Sequence, residues 1–231
     1  EVTSASYISK RMFQIWRYLS NFNLPGNSRR NVEHHYDIGG EKGEKLYDIF
    51  LDKSHRLYSC AYWKDDTKRL EEAQNNKIDH IAKKLDIKKG QKILEVGCGW
   101  GGMAFEIAKQ KDCEVKGISL SKNQIKYCNN KAKDLGLSNQ VSFELADYRE
   151  IKGKYDRIYS VGMFEHVGKK FYKIFFKTMN NLLKDDGIFL LHTIGVVDKP
   201  SPPNKFINRY IFPGGTCPSF SQIIKPIEKT G

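Results

Sequence analysis

The stretch "KILEVGCGWGGMAFEIAKQ", Lys92 to Gln110, decides the fold. It opens on an apolar run, Ile93, Leu94 and Val96, of the length expected for a strand buried on both faces. A cluster of glycines follows, and then a helical pattern over 101–110. Strand, glycine turn and helix in that order predict the first half of a βαβ unit. The alternation continues downstream. Glu114–Ile118 reads as a second strand, 121–135 as a helix and "QVSFELAD" as a third strand. "YDRIYSVG" reads as a fourth strand, 169–183 as a helix and "GIFLLHTIG" as a fifth strand. The prediction is an α/β fold with a doubly wound, mostly parallel sheet of Rossmann-like type. Upstream, "LEEAQNNKIDHIAKKL" (70–85) sets Leu70, Ala73, Ile78, Ile81 and Leu85 on or near one helical face.

A chain of 231 residues, 39% hydrophobic, can bury a substantial core as one domain with an added arm. The arm is read as residues 1–30: an amphipathic helix over 5–22 and the linker "NLPGNSRRN". The domain proper is read as 31–231. The formal net charge of +12 points to an anionic partner. The basic residues are scattered and match no nucleic-acid-binding spacing, so no nucleic acid is expected. An anionic membrane surface is the alternative, met peripherally by the basic helix, although such a helix more commonly docks on its own domain. Five cysteines, an odd number without a C-x-x-C pair, favour reduced thiols in the cytoplasm. No metal-ligand spacing occurs, and no apolar run approaches the roughly 20 residues that span a bilayer.

The glycines allow two cofactors. Gly97, Gly99 and Gly102 satisfy the G-x-G-x-x-G dinucleotide fingerprint. Gly97, Gly99 and Gly101, preceded by Glu95, also satisfy the E-x-G-x-G-x-G loop that holds S-adenosylmethionine in methyltransferases. Either way, glycine lets the backbone turn tightly and approach a ligand at the carboxyl end of the first strand. A dinucleotide fold needs an acidic residue about 20 positions on, for the ribose hydroxyls. Here the second strand ends "EVKGISLSKNQ", without a carboxylate. Trp100 is also bulky where a pyrophosphate would need backbone contact. Both points favour S-adenosylmethionine.

Eight blocks extend the argument. They are "YSCAYW" (58–63), "LEEAQ" (70–74), "LEVGCGWGG" (94–102), "SLSKNQ" (119–124), "DYRE" (147–150), "YDRIYSVGMFEHVG" (155–168), "FLLHTIG" (189–195) and "YIFPGG" (210–215). In this order and spacing, the chain resembles the cyclopropane-fatty-acyl-phospholipid synthase family, which includes the mycolic acid cyclopropane synthases. The resemblance runs from about His35 to Ser219. It implies transfer of a methylene from S-adenosylmethionine across the cis double bond of unsaturated acyl chains in phospholipids.

An alkene is a poor nucleophile, so the sulfonium methyl must be held in line with it. Methyl transfer leaves a carbocation, from which a base removes a proton so that the ring closes. The family is understood to use a bicarbonate ion here, with water excluded. The resemblance assigns the ion's cradle to Cys60, Glu165, His192 and the backbone of Ile194, and sets Tyr36 in the wall of the acyl or the ion site. It assigns the cofactor to Tyr58, Ser59 and the loop from Ile93 to Gly101 (Leu94, Glu95, Val96, Gly97, Cys98, Gly99 and Trp100 between them). It adds Ser119, Leu120, Ser121, Lys122, Asn123 and Gln124, then Asp147 and Tyr148. Gln124 would take the ribose role of the absent acid, Asp147 would accept from the adenine amino group and Tyr148 would flank the ring.

The chain departs from the family in two places. The stretch "DIGGEKGEKLYDIF" (37–50) is longer than the family pattern and is read as altering an entrance loop. Family members also continue past "FPGG", so the lid over the acyl chain and a completing tyrosine are expected to lie beyond Gly231. Three rivals stand beside this reading: a related N- or C-methyltransferase, a non-catalytic remnant that binds S-adenosylmethionine, and a dinucleotide oxidoreductase. The sequence leaves a homodimer open.

Overall fold

The computed structural model of the protein describes residues 43–197, 206, 210–212 and 214–230. The expected helix over 5–22, its linker and Tyr36 lie outside them.

Among the described residues five strands form one sheet: β1 Lys92–Val96, β2 Glu114–Ser119, β3 Val141–Leu145, β4 Tyr155–Val161 and β5 Leu183–His192. Every pairing is parallel, and the order is β3-β2-β1-β4-β5. Parallel neighbours need crossovers, and helices supply them. In chain order the helices are α1 Gly43–Phe50, α2 Leu70–Lys84, α3 Gly102–Lys111, α4 Lys122–Asp134, α5 Tyr172–Leu182 and α6 Phe220–Glu228. The predicted doubly wound fold is therefore present.

Side chains that alternate along each strand build two cores. On one face Ile93, Val115, Val141 and Tyr159 pack with Ile78 and Ile81 of α2, with Leu85 just after it, and with buried residues of α3 and α4. On the other, Leu94, Val96, Ile118 and Ile158 pack with Phe164 and with Tyr172, Phe175 and Met179 of α5. Burying each such side chain contributes about 1.5–3 kcal/mol, which explains why most inward-facing positions of the central strands are apolar. Arg157 ties α2 to the amino edge of the sheet by donating to the carbonyls of Leu85 and Asp86.

Two elements differ from expectation. The fifth strand starts at Leu183 rather than 187, through the polar run Lys184, Asp185 and Asp186. That run reads as a loop, yet an edge strand has one open side and accepts charged residues. Residues 43–50 form a helix where an entrance loop was expected. Tyr47 explains it. The ring is buried, with centroids 5.5 Å from Trp100 and 5.7 Å from Tyr58, so tertiary aromatic packing holds the segment.

Candidate active site

Strand β1 pairs with β2 on one side and β4 on the other, so the chain diverges at its carboxyl end. Open α/β sheets bind ligands at such a switch point. A cleft of about 1080 Å³, its open mouth included, lies there. That space suits a nucleoside-sized ligand.

The glycines shape its floor. Gly97 has φ 90°, and a Cβ there would lie 2.6 Å from Cβ of Met163. Gly99 has φ 51°, and a Cβ there would meet no atom within 4 Å. Gly99 thus faces open space, which a bound ligand could approach only while no side chain fills it. Trp100 does not obstruct the cleft. Its ring turns into packing with Tyr47, while the Arg56 guanidinium sits 4.3 Å from its centroid.

Ser119 donates through its hydroxyl to Oε1 of Gln124 at 2.7 Å. This fixes the amide and leaves Nε2 of Gln124 buried without a partner among the described residues. A buried donor in a cleft wall suits a hydroxyl-bearing ligand. Asp147 is clamped by Arg149, which donates Nε to Oδ1 at 2.8 Å and a terminal nitrogen to Oδ2 at 2.6 Å. Tyr148 packs edge-on against Phe175, and burial raises its phenol well above the usual range.

Of the residues assigned to the cofactor, Tyr58, Ser59, Glu95 to Trp100, Ser119, Leu120, Gln124, Asp147 and Tyr148 line this cleft. The other six stand behind it. Ile93 and Leu94 are core residues. A Cβ on Gly101 would lie 2.9 Å from Phe105, so Gly101 serves the close start of α3. Ser121 caps α4 by accepting from the Gln124 N–H, Lys122 is exposed and Asn123 half-buried.

The second predicted group gathers at the same edge of the sheet. Glu165 accepts the Ile194 N–H on Oε1 at 2.6 Å. Its Oε2 and Nδ1 of His192 are buried without hydrogen-bond partners among the described residues. Burial, with the Lys77 ammonium second, holds His192 below the ordinary imidazole value. The two atoms differ in chemistry: the carboxylate oxygen accepts, and a neutral imidazole with its proton on Nδ1 donates. The Ile194 N–H, expected to face the ion, is spent on Glu165 instead. Cys60 is exposed, and it is a neighbour of Lys77.

Sequence reasoning missed several residues here. Arg56, Gly162, Met163, Arg149 and His166 line the cleft. Lys77 and Gln74 are buried on the sheet-facing side of α2. Gln74 donates to the carbonyls of Leu57 and Ser59, and Lys77 donates to Oγ of Ser59 at 2.7 Å. The signal was legible: both polar residues fall within the apolar stripe of 70–85, where a solvated side chain has no place. Glu95 is also buried, and burial pushes its carboxyl up to about 8. Among the described residues there is no cluster of three metal-ligating side chains, and no helix long and apolar enough to cross a membrane.

Comparison with known proteins gives the family and supports the fold. The mycolic acid cyclopropane synthetase family model matches residues 25–231. The chain is 42% identical over 209 residues to the cyclopropane-fatty-acyl-phospholipid synthase of Escherichia coli strain K12. That alignment covers 90% of this chain and 52% of the enzyme, so the chain spans about half the length of the curated relative. The solved cyclopropane synthase MmaA2 from Mycobacterium tuberculosis superposes with a TM-score of 0.81 at 33% identity, covering 88% of this chain and 74% of that one. Mycolic acid cyclopropane synthase CmaA1, solved with SAH and CTAB, gives 0.80 at 34% identity with the same coverage. With the glycine cleft, the paired Glu165 and Ile194 and these likenesses together, the chain belongs to the mycolic acid cyclopropane synthetase family.

Proposed function

We propose that this chain carries the cofactor and transfer site of an enzyme that moves a methylene from S-adenosylmethionine to the cis double bond of unsaturated phospholipid acyl chains. The observation that carries the reading is a shared carboxyl edge of the sheet: the glycine-floored cleft opens after β1, while Glu165 follows β4, His192 ends β5 and the Ile194 N–H is bonded to Glu165. When bound, S-adenosylmethionine supplies the electrophilic methyl group. Gly97 and Gly99 let the backbone approach it, and Nε2 of Gln124 is the donor placed for its ribose hydroxyls. Bicarbonate supplies a base for the proton that leaves before the ring closes. Oε2 of Glu165 would accept from its hydroxyl, and Nδ1 of His192 would donate to it. The apolar parts of the cleft wall, among them Met103, Ile118, Val161 and Met163, limit water near the transfer site.

The net charge of +12 supports peripheral attachment to an anionic membrane surface from the cytoplasmic side. Calorimetric titration of the chain with S-adenosylmethionine and with NAD tests the cofactor. Micromolar binding of the first without the second is the expected result, and the reverse rejects the reading. Product analysis on vesicles of unsaturated phospholipid, with the protein in its longest natural form, then tests the transfer. A methylated amine in place of a cyclopropane ring would reject it.

A further inference from the structure

The ion site has a charge problem. The cradle read from the family contains a carboxylate, Glu165, and no side chain that carries a fixed positive charge. An anion placed beside a carboxylate in a partly buried site is repelled, and a nearby cation must offset that repulsion. His192 does not supply it, because its environment favours the neutral ring.

A buried cation, Lys77, lies on the right face, and it acts on His192 more strongly than the exposed Lys84 does. In β1, Glu95 shares the parity of Ile93 and so faces α2. In β5, His192 shares the parity of Leu190, which packs against the same core. Lys77 projects from α2 over this face and is only 4% exposed. Its ammonium donates to Oγ of Ser59 at 2.7 Å and to the Ser59 carbonyl at 3.4 Å. Among the described residues it forms no ion pair.

Building on the proposed methylene transfer, we infer that Lys77 is a positioning residue for the ion site. Through Ser59 it fixes the Tyr58–Cys60 segment, and its ammonium supplies the positive charge that lets an anion rest beside Glu165.

The groups facing Lys77 support this. They are Asp52 and Cys60 from the preceding segment, Glu95 from β1 and His192 from β5. The Asp52 carboxylate is occupied by the N–H groups of His55 at 2.6 Å and Leu57 at 2.8 Å. Burial keeps Glu95 largely protonated at neutral pH, so it does not neutralise the lysine. Burial also lowers Lys77 to about 8, which leaves it mostly charged at pH 7. A buried cation only partly offset by Asp52 is costly, and an anion bound nearby relieves that cost.

The test uses NMR of the His192 ring in the longest natural form of the protein, titrated with sodium bicarbonate at pH 7 and constant ionic strength against a chloride control. Saturable movement is expected in the parent. Lys77→Met should need at least tenfold more bicarbonate than the parent. Lys77→Arg keeps the charge and should recover most of the bicarbonate response. It also serves as the readout if Lys77→Met does not fold, since an Arg variant that folds yet loses the response overturns the inference. Equal bicarbonate response in parent and Lys77→Met overturns it as well and leaves the proposed function standing. A parent that shows no saturable response rejects the ion site itself, and Lys77's role with it.

Discussion

Replacing Glu95 by Gln tests the electrostatics of the sheet's α2 face. The carboxyl is 4% exposed, and its Oε2 has no hydrogen-bond partner among the described residues. Burial raises it from the ordinary value of 4.5 to about 8, against smaller opposing effects of Tyr159 and Lys77. Because the folded value lies above the unfolded one, the stabilising contribution is present in full below about 4.5 and is lost as pH rises through about 8. The interval corresponds to about 5 kcal/mol at most, since each pH unit is worth about 1.4 kcal/mol. Gln keeps the shape of the neutral acid and does not titrate. Urea unfolding at pH 5, 6, 7 and 8 should therefore show the two proteins within about 1 kcal/mol at pH 5. At pH 8 the variant should be more stable, by about 2–5 kcal/mol. Lys77 has the opposite sense: its folded value is depressed, so its contribution is lost as pH falls through about 8. It is present in both proteins and cancels to first order. Parallel stability curves, or a variant weaker than the parent at pH 8, would refute the burial argument.

Three further outcomes can be checked directly. Gly99→Val should cut S-adenosylmethionine affinity at least tenfold by calorimetry, because the new side chain enters open cleft space and Val is strained at φ 51°; equal affinity would remove Gly99 from the floor. Glu165→Gln should spare cofactor binding and slow methylene transfer about 10²–10⁴-fold in the longest natural form of the protein. A slow variant that also fails to bind S-adenosylmethionine would make Glu165 structural. Sedimentation with anionic vesicles should exceed that with neutral ones and decline between 0.05 and 0.5 M salt, roughly as the Debye length shortens; equal sedimentation would reject electrostatic attachment.

The sequence by itself determined the architecture and the location of the cofactor cleft. The apolar run Ile93 to Val96, the glycines after it and the repeated strand-helix alternation allow few other arrangements, because a strand with two apolar faces must be covered on both. It also singled out Glu165, His192 and Ile194, though by resemblance to a family rather than by periodicity. Tertiary structure decided what each of these atoms does. The Ile194 N–H is satisfied by Glu165, a partnership across 29 positions that no local pattern encodes. The Trp100 ring is held in place because Tyr47 and Arg56, both distant in sequence, receive it. Residues 43–50 are helical because Tyr47 finds that ring, so the element follows from its packing. Gln74 and Lys77 were visible as polar intruders in an apolar stripe. That they hold Ser59 emerged only when α2 was laid over the sheet, since the charge of a buried lysine gains meaning from what surrounds it in space.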